Sequence, residues 1–250
     1  MRKNTGKLCL ISQLRVSVII YAENKVSLKA MRDTKNLVSL FLEQKPRLYK
    51  KGQIIIRPDD TLTSVFYVEK GFVKGYSLTE HGEQKNHIIY KAGDIFPMVA
   101  AISPIGRVSF IETVEKTQLR KVDYDKFINL IKSDNSLLFE VTQKIIAFMR
   151  KYIDRIDGLE YRKANQRIID HLLYLANYFG KKKGKKILIE IPTTHKDIAE
   201  STAISRETVS RELEILKRKK IIQNSSKFII INNVRKLEKE LSLEFDHQKL

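Results

Sequence analysis

Three side chains late in the chain, Arg206, Glu207 and Arg211, have types and spacing suited to recognition chemistry. An arginine guanidinium donates two parallel N–H groups that match O6 and N7 of guanine, and a glutamate carboxylate accepts from N4 of cytosine. Val209, Leu213 and Leu216 fall at i, i+4 and i+7, a buried helical stripe that leaves Arg206, Glu207, Ser210 and Arg211 on or near the opposite face. Ser205 stands where an N-cap is needed. Upstream, Thr194 followed three residues later by Asp197 is a capping-box variant that starts a shorter helix, with Ile198 and Ala199 facing inward. The Ser201-Thr202-Ala203-Ile204 segment breaks the periodicity between the two. Residues 194–222 therefore read as helix, tight turn, helix, and the N-terminal end of the second helix is the end that enters a DNA major groove. An ordinary solvated surface helix carries similar charges, but two capped helices at this spacing, with the small Ala199 where they cross, favour recognition.

Composition sets the frame for these residues. The chain has 250 residues, 42% hydrophobic and 30% charged, which suits one large or two ordinary globular domains. The formal net charge of +18 points to a polyanionic partner, with nucleic acid the first candidate and an anionic membrane surface the second. No apolar stretch is long enough to span a bilayer. The single cysteine, Cys9, excludes an internal disulfide framework and a cluster held by four cysteines of one chain, and it suits a reducing cytoplasm.

Along the chain, residues 1–30 have a basic start and an apolar middle, but Gln13 and Arg15 interrupt the run and no small-residue cleavage site closes it. They are expected to be an ill-ordered extension ahead of an amphipathic helix opening at Met31. From Tyr49 to Asp123, short β-runs alternate with turn chemistry. Strands are expected at 54–56, 64–69, 72–77, 84–90, 109–114 and 117–123, an antiparallel barrel or jelly roll. A short helix follows, then a long one over 136–159. In it Leu138, Val141, Ile145, Phe148, Tyr152 and Ile156 lie close to the a/d spacing of a coiled-coil seam, a pattern that an intramolecular core helix shares. A further amphipathic helix, 161–179, precedes the run Lys181-Lys182-Lys183-Gly184-Lys185-Lys186, which reads as a solvated loop that adds phosphate attraction. A strand at 187–191 and a hairpin around Asn224-Ser225-Ser226-Lys227 would form a wing. A lysine-rich helix closes the chain. From residue 162 onward, 20 Lys and Arg stand against 11 Asp and Glu, a net of +9.

The stretch DIAESTAISRETVSRELEILKRKKII resembles the C-terminal helix-turn-helix of the Crp-Fnr superfamily of bacterial transcription regulators, and YKKGQIIIRPDD, FYVEKGFVKGYS and YKAGDIFP resemble the glycine-anchored segments of its β-roll. The resemblance implies an α+β chain: an extension (1–30), a β-roll effector domain (31–131), a dimerisation helix (132–161) and a winged helix-turn-helix (162–250). It implies that Arg206, Glu207 and Arg211 read base edges of double-stranded DNA while Thr194, His195, Ser205, Thr208 and Ser210 contact or position against phosphates. It also favours a homodimer on a pseudo-palindromic site, with RNA polymerase a further candidate partner. Ala203 departs from the family, which commonly has glycine in this turn, so tolerated strain or a slightly different turn is expected.

The β-roll of such regulators houses an effector. A cyclic-nucleotide pocket of this fold resembles a Gly-Glu-Leu-Gly turn followed by an Arg-Ser or Arg-Thr clamp. Here the turn is Gly93-Asp94-Ile95-Phe96-Pro97, and Arg107 is separated from Ser109 by Val108. Gly93, Asp94, Arg107 and Ser109 remain the candidate pocket, cyclic nucleotide is disfavoured, and Gly93-Asp94 is expected to be a structural turn. Haem would need an axial ligand such as His81 or His87. The effector is an unidentified small molecule, and no cofactor or metal is assigned. The alternatives are a cyclic-nucleotide-responsive regulator, a ligand-binding module with a non-DNA polyanion, and an enzyme such as a recombinase. The last would need an activated nucleophile, and no serine, cysteine or histidine stands in a recognisable catalytic motif.

Overall fold

The computed structural model describes residues 35–103, 109–160 and 163–246. The expected extension over 1–30 and the candidate Arg107 lie outside the described residues. Two compact units divide after Glu43. The first contributes one described helix, α1 (Lys35–Leu42), which carries Leu37, Leu40 and Phe41 along one side at i, i+3 and i+4.

The second unit begins with the β-roll. Its strands are β1 (Arg47–Tyr49), β2 (Ile54–Ile56), β3 (Ser64–Lys70), β4 (Phe72–Leu78), β5 (Gln84–Lys91), β6 (Ile95–Phe96), β7 (Phe110–Thr113) and β8 (Thr117–Asp123). They form two four-stranded antiparallel sheets in the orders β1-β8-β3-β6 and β2-β7-β4-β5. The two-residue β6 and the three-residue β1 are too short to show alternation, and the sequence gives no strand signal for either. One residue, Gly71, joins β3 to β4 at φ 90°, and a Cβ there would lie 2.6 Å from Thr117 Oγ1 and 2.9 Å from Thr117 Cα, so only glycine fits.

Inward-facing Ile56, Phe66, Val68, Val73, Ile111 and Leu119 close around Phe96, which is fully buried. Phe96 stacks on Phe66 with centroids 5.3 Å apart and meets Tyr90 at a tilt of 32° with centroids 5.1 Å apart. On the outer surface, Arg120 holds Glu69 in a two-pronged pair, Nη2 to Oε1 at 2.7 Å and Nε to Oε2 at 3.1 Å.

Helices α2 (Met98–Ile102) and α3 (Tyr124–Ser133) lead to α4 (Asn135–Glu160), whose start is fixed by Asp134. The Asp134 carboxylate accepts from the Ser136 hydroxyl and backbone N–H and from Leu137 N–H, and these bonds hold its carboxyl below the usual range. Helix α4 carries two apolar faces. On one, Val141 is fully buried and Phe148 stacks on Tyr90 of the β-roll at 6.0 Å, with Ile145 and Tyr152 half-buried. The other exposes Phe139, Ile146, Met149, Ile153 and Ile156.

The C-terminal part is built on α5 (Ala164–Phe179), which buries Ile168, Ile169, Leu172, Leu173 and Leu175. After it come β9 (Gly180–Lys183), β10 (Lys186–Ile189), α6 (His195–Thr202), α7 (Arg206–Arg218), β11 (Ile222–Ser225), β12 (Phe228–Ile231) and α8 (Val234–Asp246). The four strands pair in the order β11-β12-β10-β9, so a winged helix-turn-helix is present with one correction. The lysine run expected as a loop is mostly strand. Lys181–Lys183 form the outer edge, paired to β10 through a turn at Gly184 (φ 61°), with every residue from 180 to 186 exposed. Lysine disfavours strands weakly, and at a sheet edge its charge is welcome because it stays in water.

Phe96 makes the β-roll interior continuous, so Phe96→Ala is expected to destabilise the chain by about 3–5 kcal/mol, measured by urea unfolding.

Candidate nucleic-acid interface

The helix pair α6 and α7 is assembled from its two caps. Thr194 Oγ1 accepts from Asp197 N–H at 3.1 Å, while Asp197 Oδ2 accepts from Thr194 N–H at 2.8 Å, the reciprocal capping box expected at this position. At the start of α7, Ser205 Oγ accepts from Thr208 N–H at 3.2 Å. Between them Ala203 adopts φ 54°, ψ 47°, a left-handed conformation, and its N–H closes onto Ala199 O. Ala203 thus holds the left-handed backbone itself, the tolerated strain expected where the resemblance implies glycine. Arg167 of α5 donates to Thr202 O at 3.3 Å and satisfies a carbonyl at the end of α6.

The crossing of the two helices is apolar. Ile198 and Val209 are fully buried and Leu213 is 1% exposed, all in one core with α5, β10, the wing and Leu237 of α8. Packed this way, α7 presents Arg206, Glu207 and Arg211 to solvent, together with Ser205 at its cap. The Arg211 side chain is 70% exposed and lies 3.6 Å from Glu212 Oε1. The helix N-terminus adds its unsatisfied N–H groups and positive dipole end to the same surface. Thr194 is exposed beside it, and Thr193 N–H donates to Lys227 O in the wing turn at 3.0 Å, which ties the wing to the start of α6.

Two of the expected site residues, His195 and Ser210, meet each other. His195 Nδ1 lies 2.6 Å from Ser210 Oγ, a bond from the first helix to the second, and both residues are half-buried. Burial, and then the neighbouring Lys217 and Arg206 charges, push the His195 imidazole below its ordinary pKa. The His195–Ser210 contact thus joins α6 to α7.

In the β-roll, Gly93 takes φ 96° and the Asp94 carboxylate turns back to accept from Lys91 N–H at 2.8 Å, while Asp94 O accepts from Val68 N–H at 2.9 Å. Asp94 is committed to its own turn. Ser109 is half-buried at the start of β7, and His87 Nε2 lies 2.7 Å from Ser77 Oγ across the β4–β5 pair. One contact had no signal in the sequence. Asn86 on β5 donates from Nδ2 to Glu200 Oε2 on α6 at 3.0 Å, linking positions 114 residues apart.

A chain with a two-sheet β-roll, a long helix with an exposed apolar face and a capped, basic helix-turn-helix with a wing is built as a DNA-binding regulator. The sequence matches the family model for the cyclic nucleotide-binding domain over residues 46–134 and that for the Crp-like helix-turn-helix domain over residues 166–240. Similar curated proteins include the fumarate and nitrate reduction regulatory protein of Yersinia pestis, 24% identical over 74% of this chain and 73% of that protein. Electron transport regulator A of Shewanella oneidensis is 25% identical over 73% of this chain and 72% of that protein. Among solved structures, FixK2 from Bradyrhizobium japonicum superposes with a TM-score of 0.69 at 20% identity, covering 78% of this chain and 96% of that one. A CooA mutant from Carboxydothermus hydrogenoformans gives 0.67 at 22% identity, covering 86% and 94%. The chain belongs to the Crp-Fnr family of DNA-binding transcription regulators, with an effector-binding domain at its N-terminal side.

A left-handed backbone costs alanine about 1–2 kcal/mol, and glycine gives back about 0.4–1 kcal/mol through its freedom in the unfolded chain. Ala203→Gly is therefore expected to raise stability by about 0.5–1 kcal/mol, seen as a higher urea midpoint.

Proposed function

We propose that this chain is a homodimeric transcription regulator acting in the cytoplasm, in which Arg206, Glu207 and Arg211 read base edges in successive major grooves of a pseudo-palindromic operator. The observation that carries this is the capped N-terminus of α7, where all three side chains stand in solvent on one buried scaffold. Thr194, Ser205 and Thr208, with the α7 N-terminus, fit phosphate contacts, whereas His195 and Ser210 hold the two helices in register. The exposed lysine edge strand supplies sequence-independent attraction. RNA polymerase is the further partner in this reading.

The dimer forms along the exposed face of α4. Phe139, Thr142, Ile146, Met149, Ile153 and Ile156 are spaced 3, 4, 3, 4 and 3, an uninterrupted heptad seam, and five of the six are large apolar side chains left in water. This seam replaces most of the expected one. Leu138 and Ile156 are exposed as that expectation required, but Val141 and Phe148 are engaged by their own chain.

The β-roll answers to a small molecule other than a cyclic nucleotide. Two features support this: Asp94 spends its carboxylate on Lys91 N–H, and Phe96 occupies the space between the sheets beside that turn. An iron–sulfur cluster held by four thiolates does not suit a chain with one cysteine.

Sites selected from random DNA test the base-reading residues. Arg206→Ala is expected to lose about 1–3 kcal/mol of discrimination at one base position, whereas changing Lys181, Lys182 and Lys183 to Ala weakens all duplexes alike and flattens the salt dependence. An unchanged preference in Arg206→Ala refutes the assignment. Sedimentation tests the seam: Ile153→Asp is expected to yield monomers, and Phe148→Ala to leave the dimer intact.

A further inference from the structure

Strand β5 serves both faces of its sheet. On the inner face Tyr90 packs on Phe96 and on Phe148 of α4. On the outer face the adjacent Ile89, with Phe72 of β4 and Val114, packs against the core of the DNA-binding domain, and Phe72 meets Phe179 of α5 edge-on at 6.0 Å. Polar contacts pin the same face. Lys91 Nζ donates to Tyr178 O at 2.5 Å, and Asn86 Nδ2 donates to Glu200 Oε2 at 3.0 Å.

The Asn86–Glu200 bond is the one that reaches α6 itself. Asn86 is 5% exposed, and its Oδ1 accepts from Gln84 Nε2 at 2.7 Å, which aims the amide N–H at the carboxylate. The Glu200 side chain is 11% exposed. Burial raises its carboxyl pKa, against the pull of Lys74 and Lys196, whose ammonium lies 3.7 Å away. The buried Asn86 amide stripped of its acceptor is costly, while Glu200 would keep only its lysine neighbours, so the pair favours one docked orientation.

We infer that Asn86 and Glu200 form a latch that sets the orientation of the helix-turn-helix on the β-roll, with β5 as the element through which the effector domain and the dimer helix bias DNA reading. The latch rests on the DNA-reading function proposed above. In the closed state α6 docks through Glu200 while Arg206, Glu207 and Arg211 remain in solvent, which is compatible with reading, and the latch takes that state as the reading one. A shift of Tyr90, whether forced by a ligand between the sheets or by Phe148, is carried by the same strand to Ile89 and Asn86 on its other face. Asn86 and Glu200 are positioning residues in this scheme and touch no base.

Two measurements test it on the full-length dimer. In the first, hydrogen exchange without DNA is followed for residues 84–91 and 195–202 in Asn86→Ala, Glu200→Ala and Glu200→Gln. Faster exchange in both alanine variants, with Glu200→Gln like wild type because its amide oxygen still accepts from Asn86, is expected. Unchanged exchange in the alanine variants overturns the latch.

In the second, affinity is measured by fluorescence anisotropy for the duplex that the wild type selects from random DNA. Each alanine variant is expected to lose about tenfold, the double variant no more than either single, and Glu200→Gln less than about twofold. Full multiplication of the two losses in the double variant overturns the latch. If the wild type selects no preferred sequence, the DNA-reading assignment fails, and the exchange result alone decides the latch.

Discussion

The angle between α6 and α7 is the constraint on which the rest of the molecule depends. In the proposed reading Arg206, Glu207 and Arg211 must arrive at the base edges together, and nothing in those exposed side chains fixes where they go. Ile198, Val209 and Leu213 fix it from beneath, the His195–Ser210 bond fixes it from the side, and the caps at Thr194 and Ser205 decide where each helix begins. The left-handed Ala203 is the price of joining them in so few residues. The domain around this pair, from α5 to the wing, is a mounting for one angle.

That mounting is not independent of the β-roll. The outer face of the β4–β5 pair is apolar at Phe72 and Ile89 and polar at Asn86 and Lys91, a mixture more polar than the largely apolar interior of either domain. A purely apolar contact would hold at many orientations, whereas hydrogen bonds to buried partners hold at few. The mixture suits a joint with a small number of discrete settings, the arrangement that allosteric coupling requires. The inner face of the same two strands borders Phe96 and α4, so the joint and the interior share a wall one side chain thick on either side.

The features that were readable in sequence are those with short-range causes. Capping boxes, the Val209-Leu213-Leu216 stripe, the turn glycines and the β-runs each state their geometry within a few residues, and the helix-turn-helix and the two-sheet roll followed. The choice between the two faces of α4 was not readable. Two interleaved 3/4 repeats run through the helix, and Thr142 weakens the register that faces outward, so periodicity alone favoured the register that packs on Tyr90. Asn86–Glu200 had no local cause at all, since two polar residues 114 positions apart become partners only once both domains exist. The lysine run misled for another reason: composition reports how a segment meets water, and an edge strand meets water as fully as a loop does.

That edge strand has a consequence for the molecule's company as well as for its ligand. Among the described residues β9 pairs on one side only, which leaves an edge on which another copy could add a strand and begin an endless sheet. Lys181, Lys182 and Lys183 line that edge, all exposed. Two such edges brought together would set three ammonium groups against three, of which only Lys181 has a carboxylate nearby, Glu190 at 3.8 Å. A polyanion meets the same edge as an invitation. The charge of the β9 edge thus disfavours pairing with a second copy of itself while suiting a polyanion.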